Sequence, residues 1–432
     1  MDGAEILLLS ILGPVLVCEW SLEDWEVALL SSVSFLGYAF GAIFFGKIGD
    51  IHGRRSSLLF GACIIAYYGI ISSAVPNIIW LMILRCILGI GIGALPQASI
   101  IYVELLPVHY RGKAVMLIEV FFAFGGVFAA SMALVLLNNI GWRLWLLSCS
   151  APALIFLVFL KWLPESPRYY IASGQHQKAL GVLQRAAALN NVSLPSAKIR
   201  EQKLIQRGNI KDLFQKKYRI TTILVVLACS FGALNYMGMV LAATYLIKFG
   251  TTCPSNVELQ RFDSSTSDCS CVNPLTNLDI VNVLLTAFAE VPGLLVAMFL
   301  IDIIGRKNTM ILATVIYLFS CISLNICVGG TMLSVILFVA RAAVTANLQI
   351  LVIYIPEIYP TAFRAIALGI GFSSAKVASI ITPYFAQVLL VKSVHSALFI
   401  YASTAFAILV CTCLLPADKT GQQMEEVEEV AN

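Results

Sequence analysis

The sequence predicts an all-α polytopic membrane protein made of two related six-helix bundles, and three observations support this. First, the 432 residues are 59% hydrophobic and 12% charged, which is more apolar surface than a soluble domain can bury. Second, the apolar residues form stretches of the length that crosses a bilayer, about 20 residues each. Third, short motifs recur at one fixed offset along the chain.

Eleven full membrane spans are predicted, after one short apolar stretch. That stretch, residues 6–17, makes about 18 Å of helix, too little for a hydrocarbon core of about 30 Å. The spans are apolar all round instead of alternating, which predicts helices. They cover residues 26–46, 57–76, 78–103, 115–137, 143–163, 220–248, 280–301, 309–328, 332–355, 366–390 and 396–415.

The basic residues are distributed unevenly among the loops. Lys and Arg concentrate in the loops after every second span and in the polar stretch 164–218, whereas the alternate loops hold few. The positive-inside rule predicts that the basic loops and the C-terminal tail lie in the cytoplasm.

An internal repeat predicts the domain organisation. Asp50, Gly53, Arg54 and Arg55 recur 252 residues later as Asp302, Gly305, Arg306 and Lys307, and Glu104 and Arg111 recur 253 residues later as Glu357 and Arg364. An even number of spans between the copies predicts parallel halves. The predicted domains are a helical bundle at 1–163 with an incomplete first helix, a basic cytoplasmic linker at 164–218, a second bundle at 219–415 and an acidic tail at 416–432.

The repeated charged residues predict a cytoplasmic gate. Glycine permits a tight turn between two spans, and the acidic and basic side chains can form ion pairs that hold neighbouring helices together in one state. Topological anchoring by positive charge alone is the alternative. Recurrence in both halves favours the gate, because two-half rocking requires it. The predicted gate residues are Asp50, Gly53, Arg54, Arg55, Glu104, Arg111, Asp302, Gly305, Arg306, Lys307, Glu357 and Arg364.

These motifs resemble those of the major facilitator superfamily. The resemblance rests on residues 46–55, on Arg85 with the glycines at 89, 91 and 93, and on 164–169; residues 18–30, 117–121 and 354–365 resemble more specifically the synaptic-vesicle-two-related (SVOP-like) group. The resemblance implies a carrier-like protein of a vesicle or the plasma membrane. Ile51 departs from it, because the loop signature usually has Arg there. Since the family's first helix extends further upstream, an alternative isoform is expected, with Asp2 and Glu5 matching an acidic pair of that helix.

Ionisable residues within the spans are the candidates for solute binding or ion coupling, because they are costly in a membrane. Glu290 and Lys376 lie in mid-span, and Glu119 lies early in its span. Arg341 lies about 24 Å of helix before Glu357, so it is expected toward the outer half. By the resemblance, Lys376 matches a basic position in the organic-ion carriers. A structural Lys376–Glu290 pair is the alternative. Asn235 and Tyr236 could hydrogen-bond a polar solute, or bridge helices.

One disulfide is expected in the polar loop 250–276 on the non-cytoplasmic side. Cys253, Cys269 and Cys271 share this loop, and such loops are exposed to oxidising compartments. The third thiol is then left over, and Cys18 is a partner for it. The pairing stays open.

Secondary transport of a small polar or ionic organic solute by alternating access is the predicted function, with a coupling ion as a further partner. The sequence contains no Walker-A motif, metal-ligand cluster or nucleophile elbow, so we expect neither an enzyme nor a resident cofactor or metal. A monomer in the lipid bilayer, without nucleic acid, is expected. The alternative is a membrane binding protein that does not transport, because the short first helix would remove part of a cavity wall.

Overall fold

The computed structural model describes residues 1–106, 111–192, 210–250, 275–326, 330–360 and 363–416. The predictions for Cys253, Cys269, Cys271 and the acidic tail concern residues outside these ranges. Helices α1 to α10 are Asp2–Trp20, Asp24–His52, Arg54–Ile71, Ile78–Ile92, Pro96–Leu105, Arg111–Leu136, Trp142–Phe159, Pro167–Ala172, His176–Leu189 and Ile210–Leu213. Helices α11 to α18 are Arg219–Phe249, Asn277–Phe288, Glu290–Ile304, Arg306–Leu324, Thr331–Ile358, Arg364–Pro383, Leu390–Lys392 and Val394–Leu414.

Twelve segments of the described chain are long and apolar enough to cross a membrane. They confirm the predicted all-α fold and match the eleven predicted spans to within a few residues at each end. The expected dozen-residue first stretch is corrected, however. Helix α1 has 19 residues, about 28 Å, because the helix continues through Asp2 and Glu5 at one end and through Glu19 at the other.

Two of the spans are each built from two helices. The fourth consists of α4 and α5, which are separated at residues 93–95, with Pro96 at the first helical position of α5. The eighth consists of α12 and α13, which meet at Ala289. The span that begins with α16 passes through a π-helix, Tyr384–Leu389, before α17. Three short helices, α8 to α10, lie in the predicted linker.

The internal repeat is also a repeat of helix packing. In the first six spans α1 packs on α6, α2 on α4, and α3 on α4 and α7. In the second six, the corresponding pairs are α11 on α16, α13 on α15, and α14 on α15 and α18. The two sets meet along three lines: α1 against α11, α2 against α16, and α6 against α12 and α13. The repeat relates the second contact to the third: α2 against α16 in one corresponds to the eighth span, α12 and α13, against α6 in the other.

Glycines allow the closest of these approaches. A Cβ on Gly37 would meet the carbonyl of Cys86, and one on Gly41 would meet the carbonyl of Ile90, so α2 and α4 touch through backbone. In the second half, a Cβ on Gly293 would lie 2.7 Å from the carbonyl oxygen of Ala342. Small residues at helix contacts are the usual means of close packing in membranes.

The bundle has two ends that differ in chemistry. One end, which we call the basic end, carries the turns at Gly53 and Gly305. Both glycines have positive φ, 97° and 85°, a conformation that favours glycine. At the other end, the opposite end, polar contacts join the two sets of spans: the hydroxyls of Ser10 and Thr244 lie 2.6 Å apart, and Asn138 Nδ2 donates to Asn277 Oδ1 over 2.7 Å.

Candidate functional site

At the basic end, the predicted gate residues of the first half contact one another and the end of α7. Arg54 forms an ion pair with Asp50 at 2.7 Å, and its guanidinium also donates to Gln97 Oε1 at 2.9 Å. Arg55 Nη2 donates to the carbonyl of Lys161 at 3.2 Å. Lys161 lies in the 3-10 turn Leu160–Trp162 that continues α7, so Arg55 donates to a carbonyl at a helix C-terminus, where a cation is favoured.

The second half repeats the helix-end contact. Lys307 Nζ donates to the carbonyls of Cys413 and Leu415 at 2.9 and 2.6 Å. Lys307 and Cys413 each lie 252 residues after Arg55 and Lys161, so the contact is the same one in both halves. Arg306 pairs with Glu357 at 3.1 Å. Each of these contacts joins two elements of the same six-span half.

Three further gate residues are placed individually. Arg364 Nε donates to the carbonyl of Tyr359 at 3.0 Å. Asp302 is exposed near the end of α13. The side chain of Arg111 lies outside the described residues.

Glu165 is a residue at the basic end whose role the sequence did not reveal. Its carboxylate is buried and accepts hydrogen bonds from the backbone N–H groups of Arg54 at 2.9 Å and Arg55 at 3.1 Å. N–H groups in the first turn of a helix have no acceptor within the helix. Glu165, although distant in sequence, therefore caps the start of α3. Next to it, the hydroxyl of Ser166 donates to Glu104. The start of the linker is thereby fixed to the first half.

A second set of charged residues lies at mid-depth, where the two halves meet. Lys376 Nζ from α16 lies 3.4 Å from the centroid of the Tyr38 ring on α2. The hydroxyl of Tyr38 donates to Asp2 Oδ2 on α1 at 3.1 Å. Tyr38 stands 15 residues before Gly53, about 22 Å along the helix. We call Asp2, Tyr38, Glu119 and Lys376 the central cluster.

Glu119 on α6 completes the central cluster. The charges of Asp2, Lys376 and Glu290 all act on its carboxylate, and those of Asp2 and Glu119 act on Lys376. The structure thus brings together three of the predicted residues and adds Tyr38. Three of the four come from the first six spans, and Lys376 comes from the second six.

Glu5 is paired within the first half. Its carboxylate lies 2.5 Å from Arg85 Nη1 on α4, and Arg85 is buried. A cavity of about 20 Å³ beside this pair is lined by Ala4, Leu88 and Cys149 among others, which is room for about one water molecule. Two charges at this depth require each other, because an unpaired one is costly in the membrane.

The second half contains its own buried ion pair. Glu290 Oε1 accepts from Arg341 Nε at 2.8 Å, and each side chain is 3% exposed. The hydroxyl of Tyr236 lies 3.4 Å from the same carboxylate, and the rings of Tyr236 and Phe122 are 6.5 Å apart. The alternative of a Lys376–Glu290 pair is wrong, and so is the expected position of Arg341 toward the outer half. Arg341 lies at the depth of Glu290 and is its ion-pair partner.

Asn235 bridges three helices. Its Oδ1 accepts from the hydroxyls of Tyr317 at 3.3 Å and Thr404 at 3.0 Å, which join α11 to α14 and α18. Within the described residues its Nδ2 has no partner. The cysteine prediction is met at one point: Cys18 is disulfide-bonded, and its partner lies outside the described residues.

The chain resembles known transporters over nearly its whole length. The profile of the family described as "Sugar (and other) transporter" matches residues 18–431. A synaptic vesicle 2-related protein of Xenopus laevis is 39% identical over 426 residues, which cover 98% of this chain and 77% of the relative. The Rattus norvegicus protein of the same name is 39% identical over 425 residues, with the same coverage.

Solved structures confirm the fold. The xylose transporter XylE from E. coli in its inward open conformation superposes with a TM-score of 0.73, at 17% sequence identity, covering 99% of this chain and 96% of that one. The partially occluded inward open form gives 0.72 at 18% identity, covering 98% and 96%. Together with the twelve membrane helices and the relatives, these matches confirm a multi-pass membrane protein of the predicted major facilitator type. The chain belongs to the sugar (and other) transporter family.

Proposed function

We propose that the chain is a secondary transporter, which moves a small polar or ionic organic solute by alternating access between its two six-span halves. The observation that carries the proposal is the contact of Lys376 with Tyr38 and, through it, with Asp2. It crosses from one half to the other at mid-depth, where carrier sites are found. A contact that must open when the halves separate is suited to respond to a solute.

The distribution of the other polar contacts supports the rocking of two units. At the basic end, Arg55 and Lys307 each bind the last helix of their own half. At the opposite end, Ser10 and Asn138 bind across to the other half. In the proposed cycle the opposite end opens, the gate pairs Asp50–Arg54 and Arg306–Glu357 keep each half intact, and the basic end closes. The basic end faces the cytoplasm in this proposal, as the positive-inside rule predicts.

Two ion pairs complete the proposed machinery. Glu290–Arg341 and Glu5–Arg85 lie beside the central cluster. Ionisable groups within a bilayer are candidates for proton relays, and we propose Glu290 as a coupling residue. A vesicle membrane is the proposed location, by similarity to the synaptic vesicle 2-related proteins.

Uptake into proteoliposomes tests this function. The purified chain would be reconstituted and offered a panel of sugars, organic cations and organic anions, with and without a pH gradient. At least one class should accumulate, and Lys376→Met should change its rate. Lys392→Met is the matched control, because Lys392 is exposed at the end of the same span. If a folded, correctly inserted chain moves no member of the panel, transport is contradicted.

A further inference from the structure

The Tyr38 ring is already occupied by a cation, Lys376. An ammonium nitrogen over an aromatic face is held by the negative potential of the ring, and this interaction strengthens when water is excluded. Asp2 adds a carboxylate, hydrogen-bonded to the hydroxyl of the same tyrosine. A ring face with a carboxylate at its edge is a binding set for an ammonium group.

Lys376 is held differently from the two buried arginines, Arg85 and Arg341. Arg85 and Arg341 each bond directly to a carboxylate, at 2.5 and 2.8 Å. Among the described residues, Lys376 forms no ion pair within 4.0 Å and lies instead on the ring. The carboxyl groups of Asp2 and Glu119 are its electrostatic neighbours at longer range. A cation held in this way can be exchanged for another without leaving a direct ion pair broken.

Lys376 and the ring belong to different halves. The lysine is on α16, the ring is on α2, and these helices form one of the three contact lines between the halves. Replacement of the lysine by a separate cation would therefore remove a contact between the halves while keeping the ring and the carboxylate satisfied.

We propose that the Tyr38 ring and Asp2 bind the ammonium group of a small organic cation, and that Lys376 is the chain's own occupant of that site, which the solute displaces. The proposal rests on the proposed function and names its solute class. The two carboxylates near the ring, Asp2 and Glu119, oppose an anion. The face of an aromatic ring attracts positive charge, so an uncharged solute of the same shape gains less there.

A pair of isosteric probes tests the charge requirement. Choline and 3,3-dimethylbutan-1-ol have nearly the same shape, but only choline carries a positive charge. Binding to the detergent-purified full chain would be measured by radioligand competition and by the shift in melting temperature. Choline should bind and raise the melting temperature, whereas the neutral alcohol at the same concentration should not.

Variants test the displacement. Lys376→Met should tighten choline binding, by about tenfold if the lysine occupies the ring nine-tenths of the time. Tyr38→Leu should remove the binding, and Tyr38→Phe should retain most of it, because the ring remains. Lys392→Met is the control and should leave choline binding unchanged. Fluorescence size-exclusion profiles would confirm that each variant is folded.

Three outcomes would overturn the proposal: equal binding of the neutral alcohol, weaker choline binding in Lys376→Met, or unchanged binding in Tyr38→Leu. These are distinguishable from failure of transport. If sugars or organic anions enter proteoliposomes but choline does not bind, transport stands and the ammonium site fails. If choline binds and Lys376→Met tightens it while nothing is taken up, the ammonium site stands and transport fails.

Discussion

Glu290 occupies in the second half the repeat position that Tyr38 occupies in the first, 252 residues earlier. Each stands 15 residues before the glycine turn that ends its span. Each also makes a polar contact at that depth, Tyr38 with Asp2 and Lys376, and Glu290 with Arg341. One framework position therefore holds an aromatic ring in one half and a carboxylate in the other.

Glu290→Gln should destabilise the second half. The substitution leaves the Arg341 guanidinium buried without a charged partner, and breaking a buried ion pair in this way costs about 3–5 kcal/mol. The melting temperature in detergent should fall clearly, and any uptake driven by a pH gradient should be lost. The double variant Glu290→Gln, Arg341→Met should recover much of the stability. Equal melting of the single variant and the parent would show that the pair carries no such energy.

Gly41→Val should disrupt the contact between α2 and α4. The added Cβ would lie against the backbone of Ile90, which cannot move aside as a side chain could, and overpacking costs about 1–3 kcal/mol. Gly46 in the same helix has nothing within 4 Å of its added Cβ. Gly46→Val is thus a matched control and should melt near the parent. If both variants melt alike, close backbone packing is not what Gly41 provides.

Gln387→Leu should stabilise the chain. Gln387 is 0% exposed, and within the described residues neither atom of its amide has a hydrogen-bond partner. A buried unsatisfied polar group costs about 1–3 kcal/mol, and an apolar group of similar shape removes that cost. Gln97→Leu is the control and should lower the melting temperature. Unlike Gln387, Gln97 has a hydrogen-bond partner, since its Oε1 accepts from Arg54. Destabilisation by Gln387→Leu would contradict this prediction.

Glu165→Ala should free the start of α3 and of the linker. The loss of a carboxylate that accepts from the N–H groups of Arg54, Arg55 and Ser166 leaves buried donors without partners, at a cost of about 1–3 kcal/mol. Limited proteolysis should cut the linker faster than in the parent. Asp50→Asn is the comparison, because Asp50 is 58% exposed and exposed ion pairs contribute at most about 1 kcal/mol. Unchanged proteolysis of Glu165→Ala would remove the capping role.

The spans could be predicted from the sequence because length and hydropathy are properties of one segment at a time. Helix α1 is the exception. Asp2, Glu5 and Glu19 interrupt the apolar stretch, so hydropathy alone gives residues 6–17, although Glu5 and Glu19 have partners within the fold, Arg85 and Arg143. The breaks at residues 93–95 and at Ala289, and helices α8 to α10, carry no hydropathy signal. They follow from packing and from local caps.

Which charged side chains form pairs is harder to predict from the sequence than how far each lies from the basic end. Counting residues from the basic end, from Gly305 for Glu290 and from Glu357 for Arg341, gives about 22 Å and 24 Å of helix. It does not give the direction in which a side chain points around a helix, since these spans are apolar on every face. The sequence therefore leaves Lys376 as an alternative partner of Glu290, and only the structure shows that the partner is Arg341. Tyr38 could have been found, because it stands at the repeat position of a residue already singled out.

The helix-end contact shared by Arg55 and Lys307 makes the two halves mechanically alike at the basic end. Because each basic side chain binds a carbonyl at the same offset, the start of the third span of each half is fixed to the end of its sixth. In the proposed cycle each half would turn as one stiff lever. The chemical difference between the two levers lies deeper, where one repeat position holds Tyr38 in the first half and Glu290 in the second.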